Sequence, residues 1–233
     1  MALGRGGAAV AVDHARTGRF VVLEGIDGCG KTTQLQALSR WLESSEAGCL
    51  PPDRQLIVTR EPGGTPLGRA LRELLLHPPG GAAPGTTAEL LLYAADRAQH
   101  VEHTIRPALA AGHWVLSDRF SGSTAAYQGH GRGLDLDLIQ QLEAVATAGL
   151  QPDLTLWLDL PLEDSLRRRG GRAADRIEAA GAGFLERVAG GFASLAEERG
   201  WLRIDATAPA DRVTAACRDA LLGLAQGGSQ EAP

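Results

Sequence analysis

Glu24-Gly25-Ile26-Asp27-Gly28-Cys29-Gly30-Lys31-Thr32-Thr33 decides the fold, because Gly25 to Thr32 satisfies GxxxxGK[ST] without a mismatch. Its glycines let the backbone turn tightly and aim successive N–H groups at a polyphosphate. Lys31 then bridges the phosphate oxygens, and Thr32 offers a hydroxyl to Mg²⁺. Upstream, Phe20-Val21-Val22-Leu23 is an apolar run suited to a buried strand, and downstream Leu35, Leu38 and Leu42 recur at helical spacing. Strand, loop and helix thus follow in the order a phosphate-binding loop requires, which a chance glycine-rich turn would not supply. Lys31 is also the only lysine; the other 22 basic residues are arginines.

Outward from this loop the chain alternates. Short apolar or β-branched runs predict strands over 20–24, 55–59, 113–117, 153–159 and 201–205. Helical patterns fill 31–44, 66–76, 87–110, 135–149, 161–169, 182–199 and 209–225. Such alternation predicts a five-stranded parallel sheet covered on both faces, a three-layer α/β/α P-loop NTPase architecture with a flexible flap. The 233 residues show no internal repeat, so a single domain over 19–226 is expected, with disordered tails at 1–18 and 227–233 and a surface excursion at 78–85. A net charge of −5 gives no general attraction to nucleic acid or anionic lipid. No segment reads as a signal peptide or membrane span, and Cys29, Cys49 and Cys217 suit reduced thiols in a cytoplasm.

In parallel sheets, ligands bind beyond the carboxyl ends of the strands. After the second strand, Thr59-Arg60-Glu61-Pro62-Gly63-Gly64-Thr65 offers an arginine at that edge, a phosphate ligand or a surface residue beside a tight turn. After the third, Asp118 is placed to hold Mg²⁺ and Arg119 to meet a second phosphate, the alternative being a surface ion pair. Tyr93 and Arg97 share a helix face, where a ring and a guanidinium together suit a nucleobase, although Tyr93 also suits a core. Arg60, Arg97 and Arg119 all fall where a second phosphorylated ligand would face the P-loop. Five arginines lie between Arg167 and Arg176, split by Gly170-Gly171. They read as a mobile flap (about 167–180) that closes over phosphates, with a solvated helix face or a nucleic-acid patch as the competing readings.

Together with Ala126-Tyr127-Gln128-Gly129 and Asp175-Arg176-Ile177-Glu178, these segments resemble the bacterial thymidylate kinase family over about residues 19 to 225. The resemblance implies transfer of the ATP γ-phosphoryl to dTMP with Mg²⁺, in a cytoplasmic homodimer. By similarity, residues 25–33 (Gly25, Ile26, Asp27, Gly28, Cys29, Gly30, Lys31, Thr32 and Thr33) hold ATP, and Thr32 and Asp118 hold the metal. Asp27 bonds the sugar 3′-hydroxyl, Arg60 and Arg119 hold the dTMP phosphate, and Tyr93 stacks on thymine. Arg97 and Gln128 read the base, while Tyr127 sits where a ribose 2′-hydroxyl would clash. The family has a form in which the flap supplies the catalytic arginine, and Arg169 and Arg172 are the candidates. Phe120, Tyr93 and Phe192 depart from the residues commonest at those positions.

Three readings follow: a dTMP kinase, a kinase of another monophosphate or of a deoxynucleoside, and a nucleotide sensor that holds ATP to switch a partner. The arginines beside the P-loop disfavour an uncharged nucleoside, and a sensor has no need of a second phosphate site.

Overall fold

Five parallel strands in the order β2-β3-β1-β4-β5 form the sheet of the computed structural model, which describes residues 18–44, 46–50, 53–170, 176–177 and 180–227. β1 (Phe20–Glu24) is buried along its whole length and lies between β3 (Trp114–Asp118) and β4 (Leu154–Asp159). β2 (Leu56–Arg60) and β5 (Leu202–Asp205) form the two edges. The alternation of β1 explains the layering. Val21 and Leu23 enter a core with Leu38 and Trp41 of α1 (Lys31–Leu42) and Cys217 and Leu221 of α9 (Ala210–Ala225). Phe20 and Val22 join a second core with Val101, Ile105, Leu109 and Val115.

The remaining helices are α2 (Pro66–Leu76), α3 (Thr86–His100), α4 (Arg106–Ala110), α5 (Ser121–Thr124), α6 (Leu136–Thr147), α7 (Leu162–Arg169) and α8 (Ala182–Glu198). Two differ from expectation. The helix expected over 87–110 opens into a π-helical turn at Val101–Ile105, just before Pro107, which has no N–H to donate to the preceding turn. The segment 121–131, for which no helix was expected, is helical: α5 runs into a π-helical stretch, Ala125–Gly131. Three glycines hide its period, and its folding depends on close packing. A Cβ at Gly131 would lie 2.6 Å from the Phe184 ring of α8. The 78–85 excursion is a loop holding one 3-10 turn, Pro79–Gly81. Arg172, and the tails apart from Gly18 and Gly227, lie outside the described residues. Among the described residues no helix is long and apolar enough to cross a membrane.

Candidate active site

The loop after β1 builds the first cavity. Gly25 and Gly28 have φ of +139° and +80°. A Cβ at Gly28 would meet Ser165 O at 3.0 Å and Arg169 Cγ at 3.1 Å, so glycine is needed both for the turn and for the approach of α7. Ser165 donates to Asp27 O at 2.6 Å, which seats α7 on the loop and brings Arg168 and Arg169 over it. Gly30 caps α1, and the exposed Thr32 and Thr33 stand in its first turn. Lys31 is 6 % exposed and donates to Gly25 O at 3.0 Å and Ile26 O at 2.9 Å, while Ile26 and Cys29 are buried beneath the loop. Arg60 and Asp118, from the ends of β2 and β3, line this same cleft with Arg119. Asp118 Oδ1 is buried and accepts no hydrogen bond among the described residues, which suits a hydrated hard cation.

A second cavity lies beside it, lined by Tyr93, Arg97, Phe120, Tyr127 and Gln128. Asp27, Glu61, Arg72 and Arg119 line both and form the shared wall. Arg97, 2 % exposed, donates from Nε to Glu61 Oε2 at 2.8 Å and from Nη2 to Phe120 O at 3.0 Å. Behind it Glu61 Oε1 pairs with His100 Nδ1 at 2.9 Å, and His100 Nε2 pairs with Thr59 Oγ1 at 2.7 Å. The ring of Phe120 packs edge-on against Phe20, and the Phe192 ring packs edge-on against Tyr127.

Arg119 holds the wall together. Its φ of 75° is a left-handed conformation that non-glycine residues adopt at a cost of about 1 kcal/mol or more. Nη1 donates to Gly25 O at 3.0 Å and Ser123 Oγ at 2.8 Å, and Nη2 pairs with Asp27. Tyr127 donates to Asp27 Oδ2 at 2.7 Å. Burial pushes the Asp27 carboxyl up, but the charges of Arg119 and Lys31 and the Tyr127 hydroxyl outweigh it and hold the group well below the usual carboxylate range. Glu24 is raised by burial although Arg119 and Ser123 oppose the shift. It accepts from Phe120 N, Ser123 N and Ser123 Oγ, fixing the turn that carries Arg119.

The structure thus gathers Asp27, Lys31, Thr32, Arg60, Asp118, Arg119 and Arg169 in one cleft, and Tyr93, Arg97, Tyr127 and Gln128 in its neighbour. Arg97 does not line the P-loop cleft. Sequence reasoning gave no role to Arg72, Glu24, Glu61 or His100, and to Arg168 only a place among the flap arginines. For Glu61, its place two residues before Gly-Gly at a functional strand end was the available signal. A third cleft, beyond β5, is lined by Thr33, Gln34, Arg168 and residues 206–210.

A family model described as thymidylate kinase matches residues 23–216. Among curated proteins, a thymidylate kinase of Synechococcus sp. (strain CC9605) is 66% identical over 200 residues, 86% of this chain and 95% of the relative. One from Prochlorococcus marinus (strain MIT 9313) is 65% identical over 205 residues, 88% of this chain and 94% of the relative. Among solved structures, thymidylate kinase from Ehrlichia chaffeensis superposes with a TM-score of 0.67 at 30% identity, over 87% of this chain and 98% of that one.

Proposed function

The chain belongs to the thymidylate kinase family and phosphorylates dTMP to dTDP at the expense of ATP, and we propose that it does so across the two joined cavities. The observation that carries this reading is the shared wall. A nucleotide with its base between Tyr93, Arg97 and Gln128 carries its phosphate past Asp27 into the arginines that face Lys31.

In this reading the P-loop amides, Lys31 and Thr33 hold the ATP phosphates, and the cleft beyond β5 takes the adenine. Arg60 and Arg119 fix the acceptor phosphate in line with the γ-phosphoryl. Arg169 neutralises charge as the group moves, and Arg172 is the second flap candidate. Phosphoryl transfer needs alignment and positive charge rather than a covalent intermediate, and this chain supplies both. Asp27, held ionised, accepts from the sugar 3′-hydroxyl, and Tyr127 packs where a 2′-hydroxyl would stand. Mg²⁺ fits Thr32 and the Asp118 oxygen that accepts no hydrogen bond among the described residues, and when bound it would neutralise phosphate charge.

The catalytic unit in this reading is a single domain over about residues 19–226. We assign it to the cytoplasm, in keeping with three unbridged cysteines. Leu67 and Leu74 of α2, Leu91 of α3, and Leu138 and Val145 of α6 are exposed on neighbouring helices, and they support a homodimer through this face. The test is ADP release with ATP and Mg²⁺ across dTMP, dUMP, dCMP, dAMP and thymidine. Strong preference for dTMP is expected, with dUMP a weak substrate because one methyl is worth about 1–3 kcal/mol. Equal rates across the series would overturn the assignment of the base pocket.

A further inference from the structure

A glutamine amide ends in a donor on one side and an acceptor on the other, so whatever holds one end decides what the other shows to a ligand. Gln128 Nε2 donates to Glu89 Oε1 at 2.8 Å in the interior. Glu89, in the first turn of α3, is 1 % exposed. Arg132 donates to it from Nε and Nη2, each at 3.3 Å, and Arg176 forms an ion pair with Oε2. Burial pushes the Glu89 carboxyl up, but the bonds from Gln128, Arg176 and Arg132 more than offset this and hold it below its ordinary value, ionised at neutral pH. An ionised carboxylate only accepts. Reversing the Gln128 amide would set two acceptors against each other in a buried place.

Gln128 lines the base pocket, and among the described residues nothing donates to its Oε1. Arg97, with Nε and Nη2 taken by Glu61 and Phe120, leaves Nη1 as a donor for the same pocket. One fixed donor and one fixed acceptor complement the keto oxygen and adjacent N3–H of thymine. Cytosine carries the reverse pair, an amino donor and an N3 acceptor.

We propose that Glu89 is the specificity-determining residue of the base pocket, a positioning group that locks the Gln128 amide with its carbonyl toward the ligand and so selects pyrimidines bearing N3–H over cytosine. The inference rests on thymine occupying this pocket. Through Arg176, whose Nε also donates to Leu75 O at 2.8 Å, the same carboxylate ties the base pocket to the chain leaving the flap.

The experiment compares kcat/KM for dTMP and dCMP in the parent, Glu89→Gln, Gln128→Ala and the double variant. A glutamine at 89 can donate to a reversed Gln128 amide. The dTMP-to-dCMP ratio should therefore fall about tenfold or more in Glu89→Gln, and the same substitution should not change it further once Gln128 is alanine. A merely structural Glu89 would lower both rates and keep the ratio, and that result overturns the proposal. Because Glu89→Gln also removes an anion from beside Arg132 and Arg176, the exchange E89Q/Q128E is the second variant. It keeps the negative charge and again turns an acceptor to the ligand, so it should retain the dTMP preference; losing it contradicts the inference. Arg176→Met, which leaves the Glu89–Gln128 bond in place, should keep the ratio within about twofold while slowing turnover, and a collapsed ratio there would also overturn the proposal. A parent with no preference for dTMP over dCMP would fail the pocket assignment itself, a different outcome from a preference that survives Glu89→Gln.

Discussion

In the proposed reading the donor cradle is drawn from nine consecutive residues, Gly25 to Thr33, and works through main-chain amides, whereas the acceptor pocket collects Asp27, Glu61, Arg97, Arg119 and Gln128 from separate segments and works through side chains. The first needs only backbone conformations that glycine permits and one amine at the start of a helix. The second needs long side chains held still, and carboxylates do the holding, two of them buried (Glu61 and Glu89) and Asp27 partly so. Asp27 fixes Arg119 and Tyr127, Glu61 fixes Arg97, and Glu89 fixes Gln128. A local cradle is therefore sensitive to its own few residues, and the assembled pocket is sensitive as well to a partner such as Glu89, which lines neither cavity.

The largest effect should come from the local side. Lys31→Ala is expected to cost about 10⁴-fold in turnover while the melting temperature changes little, and steady-state kinetics beside thermal unfolding check both halves. Retained turnover would show that Lys31 is not a phosphate ligand. Arg169→Ala should lower kcat by about 10³-fold with little change in dTMP affinity, since Arg169 lies over Gly28 and away from the base pocket. An unchanged kcat would pass the flap's role to Arg172.

The smallest effect belongs to the assembled side and appears in stability. Asp96, beside Arg97 in the chain, accepts from Gly63 N at 3.0 Å, and its other oxygen is buried with no hydrogen bond among the described residues. Burial first, and Glu61 second, raise its carboxyl from 3.8 to about 6. A raised acid favours the fold while protonated, so this contribution is complete below about pH 4 and is lost as the pH rises through about 6. Asp96→Asn, permanently neutral, should therefore be more stable than the parent at pH 7.5 by up to about 3 kcal/mol, with the gap closing below pH 4. Chemical denaturation across that range measures it, and a gap independent of pH would remove Asp96 as the source.

The same contrast explains what the sequence made legible. The P-loop, the five strands and the strand-end residues Arg60, Asp118 and Arg119 announce themselves because periodicity and strand termini are local features. Tyr93 and Arg97 were legible as a pair because helical spacing joins them, but the depth of Arg97 was not. Its burial depends on Glu61, which lies 36 residues away. Glu89 reads as a helix-start acid and nothing more until Gln128 and Arg176 fold onto it from the far side. Segment 121–131 stayed hidden because its glycines, which break helical propensity, are needed for contact with α8 and Leu136.

That two cradles face each other closely enough for a phosphoryl to cross is tested most directly by a ligand joining adenosine to thymidine through a chain of phosphates, titrated calorimetrically alone and against each substrate. One site per chain, a Kd well below that of either ATP or dTMP, and displacement by both are expected, because the second contact is made at high effective concentration. Competition with only one of the two nucleotides would contradict it.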